Sequence, residues 1–198
     1  MLTGENMHPT HLALLAQAPP GNGSEDLWAR LCCEQALLAL EEGSYAVGAL
    51  LVNQAGELLL SGRNRVFSSH YHSARHAEMQ VIDELETLHP DQDRHTLTLY
   101  VSLQPCLMCF ARILLSGIPR VRYLARDRNG GFSGRYTQLP PAWANLSSRV
   151  SIARAKVDPY WSELAELAVN RLQDPAALRN RILRAWAGGC DPQAIARD

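Results

Sequence analysis

Lysine is nearly absent: Lys156 is the only one, so arginine supplies the rest of the 19 Lys and Arg residues. Aromatic residues are sparse, at 7%. The five cysteines are too few, and odd in number, for a disulfide framework, so a reducing, cytoplasmic compartment is expected. No apolar run approaches the roughly 20 residues that span a bilayer, so no membrane partner is expected. Met1 to Gln17 holds no cationic stretch followed by a compact apolar one, which gives no support for a secretory signal. Internal repeats and low-complexity tracts are also missing, so a solenoid or repeat array is excluded.

What is present is ordinary for a folded domain. The 198 residues are 46% hydrophobic and 20% charged, with a mean hydropathy of -0.17. The formal net charge is -1. It conceals an uneven split, because residues 1–110 carry 5 Lys and Arg against 13 Asp and Glu, and residues 111–198 carry 14 against 7. Such asymmetry either marks a face for a polyanion or is mixed over one surface by folding.

The order of elements can be read from punctuation and periodicity. Residues 1–23 form a proline- and glycine-bearing lead-in with a short helix near His11–Gln17. Ser24 is a candidate N-cap for a helix over 24–42, closed by Gly43. Val47–Val52 and Glu57–Ser61 read as a hairpin, and Arg75–Leu88 as a helix that stops before Pro90. A strand at Thr96–Ser102, a helix at Cys106–Ser116 and a strand at Val121–Ala125 imply a parallel crossover. A loop with Gly130, Gly131, Gly134, Pro140 and Pro141 is long enough to wall a site, and Phe132 or Trp143 is a candidate aromatic in that wall. Val150–Val157 is a candidate fifth strand. Asp158-Pro159 and Asp174-Pro175 then open helices over 159–172 and 175–187. Trp161 and Trp186 sit on these helices and are expected in the core or a subunit interface. The expected fold is α/β: a mixed five-stranded sheet with helices on both faces and extra C-terminal helices. Its division is a lead-in over 1–23, a main domain over 24–157 and a helical extension over 158–198 packed on that domain.

Two segments carry chemistry. His76-Ala77-Glu78 opens one helix, and Pro105-Cys106-Leu107-Met108-Cys109 opens another straight after a strand. A Cys-x-x-Cys pair at a helix N-terminus holds two sulfurs within reach of one metal, and the helix dipole favours their thiolates. With one imidazole added, three tetrahedral positions on Zn²⁺ are filled and the fourth stays open to water, as in a catalytic site. Glu78 lies less than one turn after the histidine, where it can stand beside that water and carry protons without ligating. A structural zinc site would need a fourth ligand from Cys32, Cys33, Cys190, His72 or His95. Cys32 and Cys33 read more simply as core residues, and Cys190 as a free thiol. His70 and His72 lie in the loop ahead of the motif.

The pair matches the His-x-Glu and Pro-Cys-x-x-Cys signature of zinc deaminases. The chain resembles the cytidine deaminase-like superfamily over about residues 24–130, nearest the branch of tRNA adenosine deaminases and guanine or nucleoside deaminases. Ala46–Ala49, Gly62-Arg63-Asn64 and Ala125-Arg126-Asp127 belong to the same resemblance. It implies a three-layer α/β/α fold and a homodimer or larger homo-oligomer. It also implies His76, Cys106 and Cys109 as zinc ligands and Glu78 as proton shuttle. Asn64 would bind substrate, Val47 and Gly48 would line the base pocket, and the backbone N–H of Ala77 would meet the substrate's ring edge. Two positions depart from the branch. Gln104 stands where glutamate is usual. Arg75, where a small residue is common, either meets an anionic substrate group or faces solvent.

The reaction expected is hydrolytic deamination of a free nucleobase, nucleoside or related small heterocycle with release of ammonia. The alternatives are a tRNA adenosine-to-inosine deaminase and, from another class, a zinc-stabilised non-catalytic binding module or partner subunit. The pI of 6.6, Gln104, Arg75 and a C-terminus without a recognised motif weigh against tRNA, whereas the basic second half and the Ala125-Arg126-Asp127 resemblance weigh for it.

Overall fold

The structure, a computed structural model, describes residues 7–21, 23–132 and 139–188. Gly134 and Cys190 lie outside the described residues, as do residues 1–6. Helix α1 (Pro9–Ala16) is followed by α2 (Ser24–Glu41), then by the antiparallel strands β1 (Gly48–Val52) and β2 (Leu58–Arg63). Helix α3 (Ala77–Leu88), strand β3 (Thr98–Leu103), helix α4 (Leu107–Ser116) and strand β4 (Arg120–Ala125) come next. Helix α5 (Pro141–Ser147), strand β5 (Ser151–Arg154), helix α6 (Pro159–Leu167) and helix α7 (Pro175–Ala187) complete the described chain.

The sheet order is β2-β1-β3-β4-β5. Strand β1 runs antiparallel to β2 and β3, whereas β3, β4 and β5 are mutually parallel, so α4 makes the expected crossover between β3 and β4. Side chains alternate across this sheet. Leu50, Val52 and Tyr100 join Leu37 of α2 and Trp161 and Leu164 of α6 on one face. Ala49, Leu51, Leu99, Val101 and Val121 meet Val81, Ile82 and Leu85 of α3 and Ile113 of α4 on the other. All five residues of β1 are buried, which is why Val47–Val52 reads as an unbroken apolar run rather than an alternating one. This is the three-layer α/β/α architecture with a mixed five-stranded sheet that the sequence implies.

Several local expectations change. Gly23 occupies the N-cap position of α2 and Ser24 is already helical. The stretch containing Pro140 and Pro141 is not all loop: Pro141 starts α5, where a proline in the first turn gives up no intrahelical N–H bond. The 159–172 helix is regular to Leu167 and then widens into a π-turn over Ala168–Leu172, closed by the Gln173 N–H donating to Ala168 O at 3.2 Å. Asp158 and Asp174 cap as expected, accepting from Tyr160 N–H and from the Ala176 and Ala177 N–H groups. Trp161 is buried in the core, whereas Trp186 is 60% exposed. Cys32 and Cys33 are fully buried, and Met7 and Leu15 of the lead-in join their cluster. Among the described residues, no helix is long and apolar enough to cross a membrane.

The packing of β1 on α2 requires a glycine at its start. A Cβ at Gly48 would stand 2.3 Å from Cys32 O and 2.8 Å from Ala36 N, both backbone atoms of α2. The Gly48 N–H is also committed, donating to Ser102 Oγ of β3 at 3.0 Å.

Candidate active site

The site forms where α3 and α4 begin. His76 immediately precedes α3 and Cys106 immediately precedes α4, each in extended conformation, so both side chains project from a helix N-terminus. Cys109 sits one turn into α4, buried beneath Cys106. The His76 Nδ1 atom lies 3.6 Å from Cys106 Sγ and 3.5 Å from Cys109 Sγ. Among the described residues these three form the cluster with metal-ligating geometry, their ligand atoms within 4.8 Å of one another.

The donor set fits zinc. Zn–S and Zn–N bonds of about 2.3 and 2.0 Å at a tetrahedral angle place nitrogen and sulfur about 3.5 Å apart, which is the spacing seen here. One of the two sulfurs is poised as a thiolate. A hydrogen bond from the Cys109 thiol, joined by one from His76, lowers the Cys106 pKa to about 4 against the opposing effect of burial. Cys109, as the donor in that pair and buried as well, is pushed upward. Burial acts to lower the His76 pKa, but its hydrogen bond to Cys106 and the charges of Glu78 and Cys106 outweigh it and raise the pKa overall.

Glu78, the second residue of α3, is only 3% exposed yet reaches the cavity beside the cluster. Burial raises its pKa, with His76 acting in the opposite sense and Cys109 hydrogen-bonded to it. A carboxyl group held in this way exchanges a proton more readily near neutrality than an exposed one.

The cavity measures about 230 Å³ and is lined by Val47, Asn64, His76, Glu78 and Cys106 together with residues from distant stretches. Asn64 is 2% exposed; its Oδ1 accepts from the Val66 N–H at 3.1 Å, which leaves its NH₂ as the donor toward the cavity. Gly48, Ala77 and Arg75 are not among the lining residues. Gly48 faces α2, Ala77 is fully buried under the sheet, and the Arg75 backbone closes the loop ahead of α3 through Arg65 N–H at 2.9 Å. Neither Phe132 nor Trp143 lines the cavity; the Phe132 ring packs edge-on against Phe110 instead, 5.1 Å between centroids.

No motif marks Tyr45, Leu103, Val169 and Gln173 as walls; Asp127 belongs to the Ala125-Arg126-Asp127 stretch of the resemblance without a role there, and Gln104 stands out in the sequence only as a departure. Tyr45 and Leu103 flank recognisable strands. Asp127 follows β4 and turns its own loop by accepting from Asn129 and Gly130 N–H groups. Gln104 is buttressed by Gly131, where a Cβ would come within 2.8 Å of its Oε1. Val169 and Gln173 come from the π-turn, about 100 residues from His76 in the chain.

A helix-borne His and Cys-x-x-Cys cluster beside a buried glutamate, on this α/β/α sheet, defines a zinc deaminase. The family model for the cytidine and deoxycytidylate deaminase zinc-binding region matches residues 23–125, and the chain belongs to that family. It is 35% identical to the tRNA-specific adenosine deaminase of Bacillus subtilis over 115 residues, 58% of this chain and 70% of that protein. To the tRNA-specific adenosine deaminase 2 of Danio rerio it is 33% identical over 121 residues, spanning 56% of that protein. Among solved structures, a tRNA:A34 deaminase studied for A-to-I editing superposes with a TM-score of 0.53 at 30% identity, covering 60% of this chain and 92% of that one. The guanine deaminase of Nitrosomonas europaea shares the fold with a TM-score of 0.60 at 18% identity, covering 83% and 93%. The chain is thus a hydrolytic deaminase by family, with zinc as its metal.

Proposed function

We propose that this protein deaminates a free nucleobase, nucleoside or related small heterocycle, replacing an exocyclic amine by an oxo group. The observation that supports this reading is the cavity. At about 230 Å³ it is smaller than the roughly 300–1,000 Å³ of sites for drug-sized ligands, and it suits a single heterocycle. Part of its wall is built by Val169 and Gln173, which this chain supplies from beyond the family-matched region.

In this reading His76, Cys106 and Cys109 hold zinc, which supplies a Lewis acid that lowers the pKa of water to about 7. Glu78 takes one proton from the attacking water and returns it to a ring nitrogen, then takes the second from the newly added hydroxyl and passes it to the departing amine. Water's oxygen bonds to the amino-bearing carbon, the carbon–nitrogen bond breaks and ammonia leaves. Asn64 orients the ring through its NH₂ group, and Val47 packs against its face. A buried carboxyl at the cavity has no use in a purely structural zinc site, which argues against a non-catalytic binding module.

The second reading, a tRNA adenosine-to-inosine deaminase, is favoured by the 35% identity to the Bacillus subtilis protein. One assay separates the two. Ammonia release is measured over adenine, guanine, cytosine, their nucleosides and tRNA. Turnover of a small heterocycle supports the proposal. Turnover of tRNA alone, with binding that weakens steeply as salt rises, overturns it in favour of the second reading.

A further inference from the structure

Of the two side chains that the π-turn brings to the cavity, one is polar, and no motif assigns it. Gln173 lines the same cavity as Glu78 and Asn64. Its amide oxygen is already used: Oε1 accepts from the Ala46 N–H at 3.1 Å. A backbone N–H can be satisfied only by an acceptor, so the oxygen must face Ala46, and the NH₂ is what Gln173 has left to offer. Ala46 lies between Tyr45 and Val47, both of which line the cavity, so this bond ties the C-terminal wall to the wall carried by the start of β1.

The backbone fixes the donor as firmly as the side chain does. The Gln173 N–H closes the π-turn on Ala168 O, and the next residue, Asp174, caps α7. The π-turn widens the end of the helix and so shifts the residue that closes it out of helical register. A donor held on both sides loses little entropy when it binds. Asn64 repeats the arrangement, its oxygen bound to Val66 N–H and its NH₂ left over. The cavity therefore presents two amide donors whose oxygens cannot be exchanged for their nitrogens.

We infer that Gln173 is a specificity-determining residue whose NH₂ donates to a ring-nitrogen acceptor, N3 or N7, on the edge of a bound purine. This rests on the proposed small-heterocycle reading and deepens it: the preferred substrate carries a hydrogen-bond acceptor on the edge turned toward the π-turn. A ring lacking that acceptor covers this half-buried donor without pairing it and is discriminated against.

The test uses full-length zinc-loaded protein, wild type, Gln173→Glu and Gln173→Leu. Glutamate keeps an oxygen for the Ala46 N–H but has no NH₂, whereas leucine loses both. The probes are adenine and guanine with their 3-deaza and 7-deaza analogues, which lack one ring acceptor each. The expected result is that Gln173→Glu raises KM, or weakens equilibrium binding, at least tenfold for a parent base while kcat stays within about threefold. That loss should vanish with one of the two deaza analogues, which wild type itself handles about tenfold worse than the parent. An equal loss on parents and both analogues overturns the proposal as a general charge effect. Wild-type behaviour of Gln173→Glu alongside a defective Gln173→Leu overturns it by making Gln173 only a tie to Ala46. If wild type binds the bases without releasing ammonia, the functional reading fails, and the binding comparison still decides the role of Gln173. If wild type binds none of them, this proposal falls too.

Discussion

Cys106 and His76 lie thirty residues apart in the chain, yet Sγ of one stands 3.6 Å from Nδ1 of the other. The spacing is set by two separate helix starts packed on the same side of one sheet, not by any local turn. Replacing Cys106 by alanine leaves two ligands for a metal that needs at least three from the protein. Cys106→Ala is therefore expected to purify with less than about a tenth of the zinc of wild type by elemental analysis, and to release no ammonia. Full zinc occupancy in that variant would show that the cluster is not the metal site.

Glu78 separates metal binding from proton transfer. Glu78→Ala is expected to keep wild-type zinc content and lose about 10²–10⁴-fold in kcat, the usual contribution of a positioned acid–base group. The pairing of intact zinc with lost turnover is the decisive readout, and an active Glu78→Ala enzyme would sink the mechanism.

The same carboxyl has a cost in stability. Burial raises its folded-state pKa. Its favourable protonated form is fully present below the ordinary glutamate pKa of about 4.3, and that contribution is lost as pH rises through the raised folded value. A glutamine in its place does not titrate. Zinc-free Glu78→Gln is thus expected to melt at a higher temperature than zinc-free wild type at neutral pH, with the gap closing as pH falls toward about 4. A gap that stays constant with pH would mean that the carboxyl is not desolvated.

Gly48 offers a test of packing away from the chemistry. Adding a methyl group there drives it into two backbone atoms of α2, which no rotamer change relieves. Gly48→Ala should destabilise by about 1–3 kcal/mol or more, read as a fall in denaturant midpoint at unchanged m-value. The resemblance to the deaminase branch places Gly48 at the base pocket; the structure places its Cα against a helix backbone, so its effect on turnover should follow its effect on folding.

The metal cluster is legible in the sequence because its parts are close in the chain: His76 and Glu78 share a turn at the start of α3, and Cys106 and Cys109 a turn at the start of α4. The order of helices and strands is legible for a similar reason, since caps such as Asp158 and Asp174 act within three residues of themselves. The rest of the cavity has no such local trace. Tyr45, Asp127, Val169 and Gln173 meet only through the sheet and the C-terminal helices, and their spacing in the chain follows no period. Helix α5 reads as loop because Pro140 and Pro141 are turn residues by composition; only the chain's direction after Pro141 makes that proline a helix start. Aromaticity misleads in the same stretch, since Phe132 finds a partner in Phe110 instead of the cavity.

The π-turn has a further consequence for how this enzyme can change. Bond-breaking is encoded between residues 64 and 109, whereas another part of the wall is encoded some sixty residues later, on a segment joined to the start of β1 by the bond from Ala46 to Gln173. Heredity can therefore edit the two independently. An exchange of residues 168–174 between related chains would move ligand preference from one to another as a cassette, leaving the reactive machinery untouched.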